Sequence, residues 1–325
     1  MTGVPLDTRI ALLRQHGNFT QAYSATYQAG LEHFGDERGV IAYKKVWGTA
    51  LVLSDPLAAK QNVRDLMVRF LREYPDVAFW SVSRPTAGIL GPLGFFINEM
   101  GPDTRLDLAN YDFAGRDKRT LRLAINRIPK SGYTTRESSI PLIGAEKVKA
   151  VSNAWRQTRV IRRREVCFLT RPLVFDDEPD VRAFFTFDRD GELAAFSTFD
   201  PVYEAGEVVG YVSAQNRYRP DCDPLVHVAT KINAIETFQA EGKRWLFLGI
   251  SPFAGVKNKT VRLNTRGIFQ LCYESAFFNR FVYSLQGLAA HKRQYRGVQE
   301  QTYYAFNQRP ALSRIVKLIR ACNIL

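Results

Sequence analysis

Three apolar runs separated by two turn signals constrain the fold of this chain more than any other feature. They lie in VRAFFTFDRDGELAAFSTFDPVYEAGEVVGYVSAQ, residues 181–215, with turns predicted at Asp190-Gly191 and near Gly206. Short turns between β-rich segments join strands that run antiparallel. The sequence therefore predicts an antiparallel sheet in the second half of the chain.

Helical and strand patterns alternate along the whole chain, and a similar order occurs twice. In the first half the pattern predicts an aromatic-rich helix over Phe19–Phe34, a strand pair turning at Gly48, a helix over Asn62–Tyr74, two strands and a basic helix. In the second half it predicts a helix, the three strands, a helix over Leu225–Glu241 and the strand RWLFLGI. This order indicates an α+β fold of two similar halves, with mainly antiparallel sheets flanked by helices.

The four tryptophans fall within these apolar elements. They are Trp47, Trp80, Trp155 and Trp245. Large aromatic side chains in such patterns contribute more often to a core than to a stacking platform. We expect all four in the core.

The chain is strongly basic, with 45 Lys and Arg against 32 Asp and Glu and a formal net charge of +13. Residues 116–164 contain fourteen basic and three acidic residues, and residues 287–325 contain seven basic residues against Glu300 alone. Such a field attracts polyanions, which include nucleic acid and anionic lipid. A basic but merely solvated surface would give the same composition.

The first basic region contains an amphipathic helix. Leu121, Ala124, Ile125 and Ile128 recur at spacings of three and four, which predicts one buried stripe over Asp117–Ile128. The opposite side presents a set of basic residues to a polyanion. We predict that this set binds tRNA: Lys118, Arg119, Arg122 and Arg127. The tail SRIVKLIRACNIL resembles an interfacial helix that contacts lipid, although packing on the protein is the commoner fate of such a helix.

Several classes of protein and site are excluded or disfavoured. The four cysteines form no CxxC pair, which favours reduced thiols in a cytoplasmic protein. No HExxH or Cys/His cluster occurs, so no metal site is expected, and no P-loop, GxGxxG or GxSxG motif occurs. The N-terminus lacks the apolar region of a signal peptide, and no apolar run approaches the length of a membrane span.

An ordered set of motifs over residues 40–308 carries a resemblance to a known family. The motifs are VWGTALVLSDP, AFWSVS, MGPDTRLDLANYDFAGRDKRTLRLAINRIPKSGY, VSNAW, EGKRWLFLGISPFAG and FNRFVYSLQGLAAHKRQYRGVQEQTYYAF. In order and spacing they resemble the soluble catalytic part of the lysyl- and alanyl-phosphatidylglycerol synthases. Members of that family typically carry a membrane flippase before this part, and none is expected in this chain.

The resemblance implies two tandem GNAT-like domains, residues 1–140 and 141–325, the second ending in the basic C-terminal helix. It implies an aminoacyltransferase that moves an amino acid from aminoacyl-tRNA to phosphatidylglycerol or a related polar acceptor. Its partners would be aminoacyl-tRNA and an anionic phospholipid or membrane surface, at the cytoplasmic face of the membrane. No cofactor is implied beyond aminoacyl-tRNA as a co-substrate.

Glu274 and Lys292 are the first catalytic candidates, because they match the family's functional acid and lysine in CYES and GLAAHK. Aminoacyl transfer needs two substrates at attack distance, a polarised carbonyl and help for the hydroxyl that loses its proton. Lys292 is suited to neutralise a phosphate or support the oxyanion. Glu274 is suited to bind the α-amino group or orient the hydroxyl. By spacing alone, both are equally compatible with surface charges.

The segment NRYRPDCDPLVHVATK joins a strand to a helix where a GNAT fold binds the pyrophosphate of its cofactor. It lacks the glycine-rich phosphate loop, and His227 stands closest to the place where the synthases carry a substrate-binding aspartate. A histidine there is suited to act as a general base, and a buried helix histidine is the alternative. Substrate contacts are predicted for Asp223, Arg217, Arg219, Ser251 and Arg296.

Two other functions fit the sequence. One is an acyltransferase of the same fold with a soluble acceptor or an acyl-thioester donor. The other is a non-catalytic basic protein that binds nucleic acid or membrane. The absence of a glycine-rich loop predicts that acetyl-CoA does not bind.

Overall fold

A computed structural model describes residues 3–159, 164–256, 273–281, 284–308 and 311–324. The strands of this part form one mixed, mainly antiparallel sheet of twelve strands. The strands are β1 Glu32–Asp36, β2 Gly39–Val46, β3 Thr49–Leu53, β4 Leu57–Ala58, β5 Val77–Val82, β6 Phe96–Asp107, β7 Thr134–Ser138, β8 Arg182–Phe187, β9 Leu193–Glu204, β10 Glu207–Tyr218, β11 Trp245–Ile250 and β12 Val298–Phe306.

Helices flank both faces of the sheet. The helices are α1 Leu6–His16, α2 Ala22–Tyr27, α3 Lys60–Glu73, α4 Arg84–Leu90, α5 Arg119–Lys130, α6 Ile140–Ile143, α7 Ala145–Gln157, α8 Val226–Ala240, α9 Ala276–Phe281, α10 Leu285–Arg293 and α11 Ala311–Ala321. Short 3-10 turns precede and follow several of them. The α+β fold class predicted from the sequence is confirmed.

The order of elements repeats, as the sequence indicated. In the first half β1, β2 and β3 pair antiparallel, α3 follows, and β5 pairs parallel with β3. In the second half β7, β8, β9 and β10 pair antiparallel, α8 follows, and β11 pairs parallel with β10. The boundary between residues 140 and 141 stays a prediction.

Two central strands join the halves. β12, the last strand in sequence, lies between β5 and β6 and pairs antiparallel with both. The other edge of β6 pairs with β11. A strand from each half of the chain is therefore needed to complete the hydrogen bonding of the sheet centre.

Strands β10 and β11 diverge and leave a wedge between them. Their parallel pairing ends at Val212 and Phe247, although β10 continues to Tyr218. The chain after β11 follows β6 instead, because the amide of Ser251 donates to the carbonyl of Pro102 at 2.8 Å. Two diverging strands leave space in a sheet, and the first turn of α8 and the end of α10 border it.

The basic helix forms where its periodicity predicts. Leu121, Ala124 and Ile128 of α5 are buried, and Leu121 and Ala124 share one apolar cluster with residues of α8. Gly132, with φ of +83°, reverses the chain after the helix. Glycine adopts this conformation without steric cost.

The C-terminal helix packs on the protein, which corrects its tentative assignment to lipid. Ile315 and Leu318 of α11 join a core cluster with Trp80 and Leu51. The guanidinium of Arg314 pairs with Asp76. The apolar side of this helix therefore has a protein partner.

Removing the Leu318 side chain tests this packing. Leu318 is 6% exposed, and Leu318→Ala should lower the free energy of unfolding by about 2–4 kcal/mol, measured by urea denaturation. The matched control is Leu312→Ala in the same helix, because Leu312 is 54% exposed and should change stability by less than about 0.5 kcal/mol. Equal effects of the two substitutions would contradict the packing described.

Candidate active site

Titratable side chains from three elements converge on the wedge between β10 and β11. Lys231 and His227 come from α8, His291 and Lys292 from α10, and Asp103 from β6. Their electrostatic coupling shows that they are neighbours, since the lysines lower the pKa of His291 and Asp103 raises that of Lys292. We call these five side chains the wedge cluster.

Lys292 is buried, not a solvated surface lysine. Its Nζ donates a hydrogen bond to the carbonyl of Ile250 at 2.5 Å, at the end of β11. Gly249, with φ of +80°, leaves room for it, because a Cβ there would lie 3.3 Å from Nζ. Burial lowers the pKa of Lys292 to about 8, and Asp103 opposes that shift.

Asp103 is the carboxylate of the wedge cluster. Burial raises its pKa to about 6, while the hydrogen bond from Thr20 and the charge of Lys292 act in the opposite direction. The hydroxyl of Thr20 donates to Oδ2. The other carboxylate oxygen of Asp103, Oδ1, is buried without a partner among the described residues.

The two histidines stack against aromatic rings. The ring of His227 lies 4.6 Å from that of Tyr218 and 5.3 Å from that of His291, which lies 5.5 Å from Tyr295. Burial lowers the pKa of His227 to about 3, and it also lowers the pKa of His291. Both rings are therefore neutral near pH 7. That pKa does not support the general-base role inferred for His227.

Lys231 is the member of the wedge cluster that the sequence did not reveal. It is 4% exposed, and its side chain makes no hydrogen bond or ion pair within the described ranges. Its Nζ lies 5.4 Å from the centre of the Tyr295 ring. Burial lowers the pKa of Lys231 to about 7, and the neighbouring Lys292 lowers it further in the same direction. A buried amine so perturbed is a marker of functional sites.

Several polar atoms around the wedge are buried and lack a partner in the described part of the chain. They are Nδ1 of His227, Nε2 of His291, the hydroxyl of Tyr295 and Oδ1 of Asp103. Native proteins rarely bury polar atoms without partners. The arrangement therefore suits a polar ligand.

Ser251 lies at the border of the wedge cluster, whereas Glu274 lies beside the start of α10. Ser251 is buried directly after Ile250, whose carbonyl accepts from Lys292. Glu274 is exposed, and the carbonyl of its neighbour Tyr273 accepts from the side chain of Gln286 at 2.8 Å. Gln286 precedes Lys292 by six residues of α10, roughly 9 Å along the helix. Their predicted roles remain predictions.

The other substrate-binding candidates are engaged in ion pairs. Buried Arg217 pairs with Glu165, Arg219 pairs with Asp188 at 2.8 Å, and Arg296 pairs with Asp117 at 3.2 Å. Asp223 pairs at 2.7 Å with Arg127, which the sequence analysis assigned to tRNA. Each of these four side chains already has an oppositely charged partner in the protein, and a substrate contact for them stays a prediction.

The basic helix also uses part of its charge internally. The side chain of Lys118 contacts Asp112 and lies 4.1 Å from the ring of Tyr111, and Arg122 donates to the carbonyl of Phe113 at 3.1 Å. Arg119 is exposed and makes no ion pair or hydrogen bond with the described residues. Lys130 is exposed in the same way, eleven residues on. At 3.6 residues per turn the two share one face of α5.

A separate cavity of about 420 Å³ lies between residues 171–178 and strands β7 to β10. Its arginines are paired, Arg171 with Asp200 and Glu178 and Arg182 with Glu137 and Glu241. This cavity therefore lacks uncompensated charge. The wedge cluster has such charge, and we take the wedge cluster as the candidate active site.

Within the described ranges, no group of three or more His, Cys, Asp and Glu side chains is placed to hold a metal ion. The helices found there are all too short or too polar to cross a membrane.

Known proteins are similar to this chain in sequence and in fold. Residues 10–306 match the family model described as phosphatidylglycerol lysyltransferase, C-terminal. A phosphatidylglycerol lysyltransferase of Bacillus subtilis is 23% identical over 290 residues, which are 87% of this chain and 33% of that protein. One of Staphylococcus xylosus is 20% identical over 322 residues, 93% of this chain and 37% of that protein. The chain thus spans about a third of the length of these relatives.

Two solved structures share the fold along nearly the whole chain. The structure of L-PGS from Bacillus licheniformis has a TM-score of 0.78 and 20% identity, and the match covers 99% of both chains. The C-terminal domain of a putative lysylphosphatidylglycerol synthetase from Agrobacterium fabrum has a TM-score of 0.78 and 16% identity, with 98% of both chains covered. FemX, with a TM-score of 0.57 and 11% identity, covers 96% of this chain and 98% of its own.

Burial of Lys231 gives a testable pH dependence of stability. Its folded pKa of about 7 lies below the ordinary value of 10.5, so the unfolded state binds more protons between these values and stability rises with pH there. The loss of folding stability caused by burying this lysine is complete below about pH 7 and absent above about pH 10.5. Lys231→Met removes it.

We expect Lys231→Met to be more stable than the wild type at pH 7 by on the order of 4–5 kcal/mol, since the folded pKa lies about 3.5 below the ordinary value and one pKa unit is worth about 1.4 kcal/mol. Denaturant unfolding at several pH values should show the difference shrinking towards pH 10. Lys149→Met, at an exposed lysine of α7, serves as the control and should show no such trend. A variant less stable than the wild type at every pH would mean that Lys231 is paired with an anion in the fold.

Proposed function

The chain belongs to the family of phosphatidylglycerol lysyltransferase C-terminal domains, and from this premise we propose that it transfers an amino acid from aminoacyl-tRNA to phosphatidylglycerol or a related polar acceptor. The observation that supports the proposal most directly is the wedge cluster. It places two buried lysines and several unpartnered polar atoms where two strands of the sheet diverge.

The proposed reaction exchanges one ester for another. A hydroxyl of the acceptor attacks the carbonyl carbon of the aminoacyl ester, and a new C–O bond forms. The bond to the ribose oxygen of tRNA breaks, and the proton of the acceptor hydroxyl ends on that oxygen. Because the ester is already activated, the protein contributes mainly position and electrostatic stabilisation.

The cluster is suited to these tasks. Lys292, fixed by the carbonyl of Ile250, supplies positive charge near the developing oxyanion or a phosphate. Glu274, exposed beside the start of α10, is suited to hold the α-amino group of the donor. The neutral rings of His227 and His291 are suited to orient substrates by hydrogen bonds, since their lowered pKa values keep them uncharged.

The exposed face of α5 is the proposed tRNA surface. Arg119 and Lys130 are solvated and uncommitted to acids of the described chain. A polynucleotide is bound largely through its phosphates by such residues. The acceptor would reach the site at an anionic membrane surface, whose lipids attract the same net charge.

Substitutions in the site test the reaction. Lys292→Met and Glu274→Gln should each lower turnover by roughly 100-fold, about 3 kcal/mol of transition-state stabilisation. Met replaces Lys because the side chain is buried and an alanine would leave a cavity. The measurement is the amount of aminoacylated lipid extracted after expression, and aminoacyl transfer in vitro with purified tRNA.

Lys149→Met is the control for that experiment, because it removes an exposed lysine elsewhere. Wild-type turnover in both site variants would remove the assigned roles. The absence of any new, more cationic lipid from wild-type cells, together with acyl transfer from a thioester, would favour the other transferase reaction.

Reversal of charge on α5 tests the tRNA surface. Arg119→Glu with Lys130→Glu should weaken tRNA binding by at least about tenfold at low salt and reduce the slope of log K against log salt by roughly two units, one for each lost phosphate contact. The control reverses Lys60 and Arg64 on α3, which are exposed and give the same change of net charge. Equal losses in both double variants would mean that the charge acts only through the overall field.

A further inference from the structure

We infer that Lys231 and Lys292 together form a receptor for one phosphodiester anion, and that this anion is the head-group phosphate of the lipid acceptor. The inference rests on the proposed function for the identity of the lipid. It rests on the geometry of the wedge cluster for the binding of an anion.

The positive charge of the wedge cluster exceeds its negative charge. Lys231 makes no ion pair within the described ranges. Lys292 donates a hydrogen bond to the carbonyl of Ile250, and the charge of the neighbouring Asp103 favours its protonated form. Arg159 adds to the positive potential, because it lowers the pKa of His227 and His291. Burying a cation without a counter-ion is costly unless something compensates it.

The remaining residues of the given sequence offer these lysines no acidic side chain. The residues outside the described ranges are 1–2, 160–163, 257–272, 282–283, 309–310 and 325, and they contain neither Asp nor Glu. They contain several Lys and Arg. In their charged form the two lysines therefore suit an anion supplied by another molecule.

The hydrogen-bonding atoms suit a phosphodiester next to a hydroxyl. Nε2 of His291 and the hydroxyl of Tyr295 are buried without partners in the described chain and can donate to phosphate oxygens. Oδ1 of Asp103, equally unpartnered, can accept from a hydroxyl. A phosphoglycerol head group carries both features within a few bonds.

Burial decides between the two phosphodiesters of the proposed reaction. Lys231 and Lys292 are 4% and 8% exposed, so a polynucleotide backbone that lies along the surface does not reach them. The exposed basic residues of α5 offer tRNA an alternative surface. The buried lysines are therefore assigned to the lipid.

Binding of an anion here must take up protons. Burial holds the pKa of Lys231 near 7 and that of Lys292 near 8, so at pH 8 the pair is partly deprotonated. A bound anion favours the charged form of each lysine and raises both values. Among the described residues, the other titratable groups that face the pair are Asp103, the two histidines, Tyr295 and Arg159.

Calorimetry of the full chain tests the receptor without any turnover. The ligand is dihexanoyl-phosphatidylglycerol below its micellar concentration, titrated at pH 8 in two buffers of different ionisation enthalpy. We expect uptake of between about half a proton and about 1.4 protons per lipid bound, the upper limit being full protonation of both lysines. Lys231→Met and Lys292→Met should each weaken binding at least about tenfold and reduce the uptake, whereas Lys149→Met should change neither.

Lys231→Arg separates charge from mere packing. Arginine stays protonated, so this variant should keep binding within about threefold while it loses most of the proton uptake. Circular dichroism and unfolding curves establish that each variant folds. Binding without proton uptake, or wild-type affinity in Lys231→Met, would overturn the receptor.

Two further arms identify the source of the anion. Dihexanoyl-phosphatidylcholine carries a phosphodiester with a cationic group and no hydroxyl, and it should bind at least tenfold more weakly. A short CCA-ended oligonucleotide should bind without proton uptake that depends on Lys231. Lysine-dependent uptake with the oligonucleotide and not with the lipid would assign the pair to tRNA and refute the inference.

The receptor and the proposed function can fail separately. Lipid binding with proton uptake in a protein that forms no aminoacylated lipid would leave the receptor standing and remove the proposed reaction. Wild-type turnover in Lys231→Met would contradict the receptor and leave the proposed reaction standing.

Discussion

The hydrogen bonding of β12 between β5 and β6 is the interaction on which the rest of the structure depends. It ties the last strand of the chain to the first half, and β6 then carries β11 on its free edge. Because β11 stays with β6, it leaves β10 after Phe247. The wedge therefore forms because β11 stays paired with β6 and separates from β10. Lys292 reaches the wedge from α10, the helix directly before β12.

The wedge cluster works against stability in the absence of a ligand. Two buried lysines with lowered pKa values weaken the fold as the pH falls towards 7. Folding tolerates this because other parts of the sheet are densely packed, with Trp80 stacked on Tyr304 at 5.1 Å and Phe184, Phe199 and Phe238 in edge contacts. Sites that bind charged ligands often retain such a cost, which the ligand then offsets.

The sequence predicted elements with strong local signals and missed those set by distant contacts. The hairpin at Gly48 and the buried stripe of α5 follow from turn chemistry and helical periodicity. The helix predicted over Phe19–Phe34 is wrong, because it ends at Tyr27 and residues 32–36 pair with β2. Trp47 was expected in the core but is 66% exposed in the hairpin turn, with φ of 47°.

In the site, too, residues with a local sequence signal were predicted and residues defined by distant contacts were missed. Lys292 and His227 were found through motifs, and both lie in the wedge cluster. Lys231 was not predicted as a site residue, because it lies among Val228, Ile232 and Ile235 in a helix that is buried on most sides. No local sequence pattern indicates which strand faces this lysine. Arg217 seemed available for substrate, yet its partner Glu165 lies 52 residues away. Ion pairs of this kind depend on the complete fold, so residue type and spacing cannot reveal them.

Exposed and buried positive charges serve different physical purposes in this chain. Charges such as Arg119 act through water, where salt screens them within about 10 Å at 0.1 M. The buried amines of Lys231 and Lys292 are screened far less, but their charge changes with pH near neutrality because burial lowers their pKa values to about 7 and about 8. The first kind suits a large polyanion that arrives by long-range attraction. The second suits a small anion recognised only after it has left water. The net charge of +13 conceals this difference, because it sums residues whose surroundings, not their number, decide what they bind.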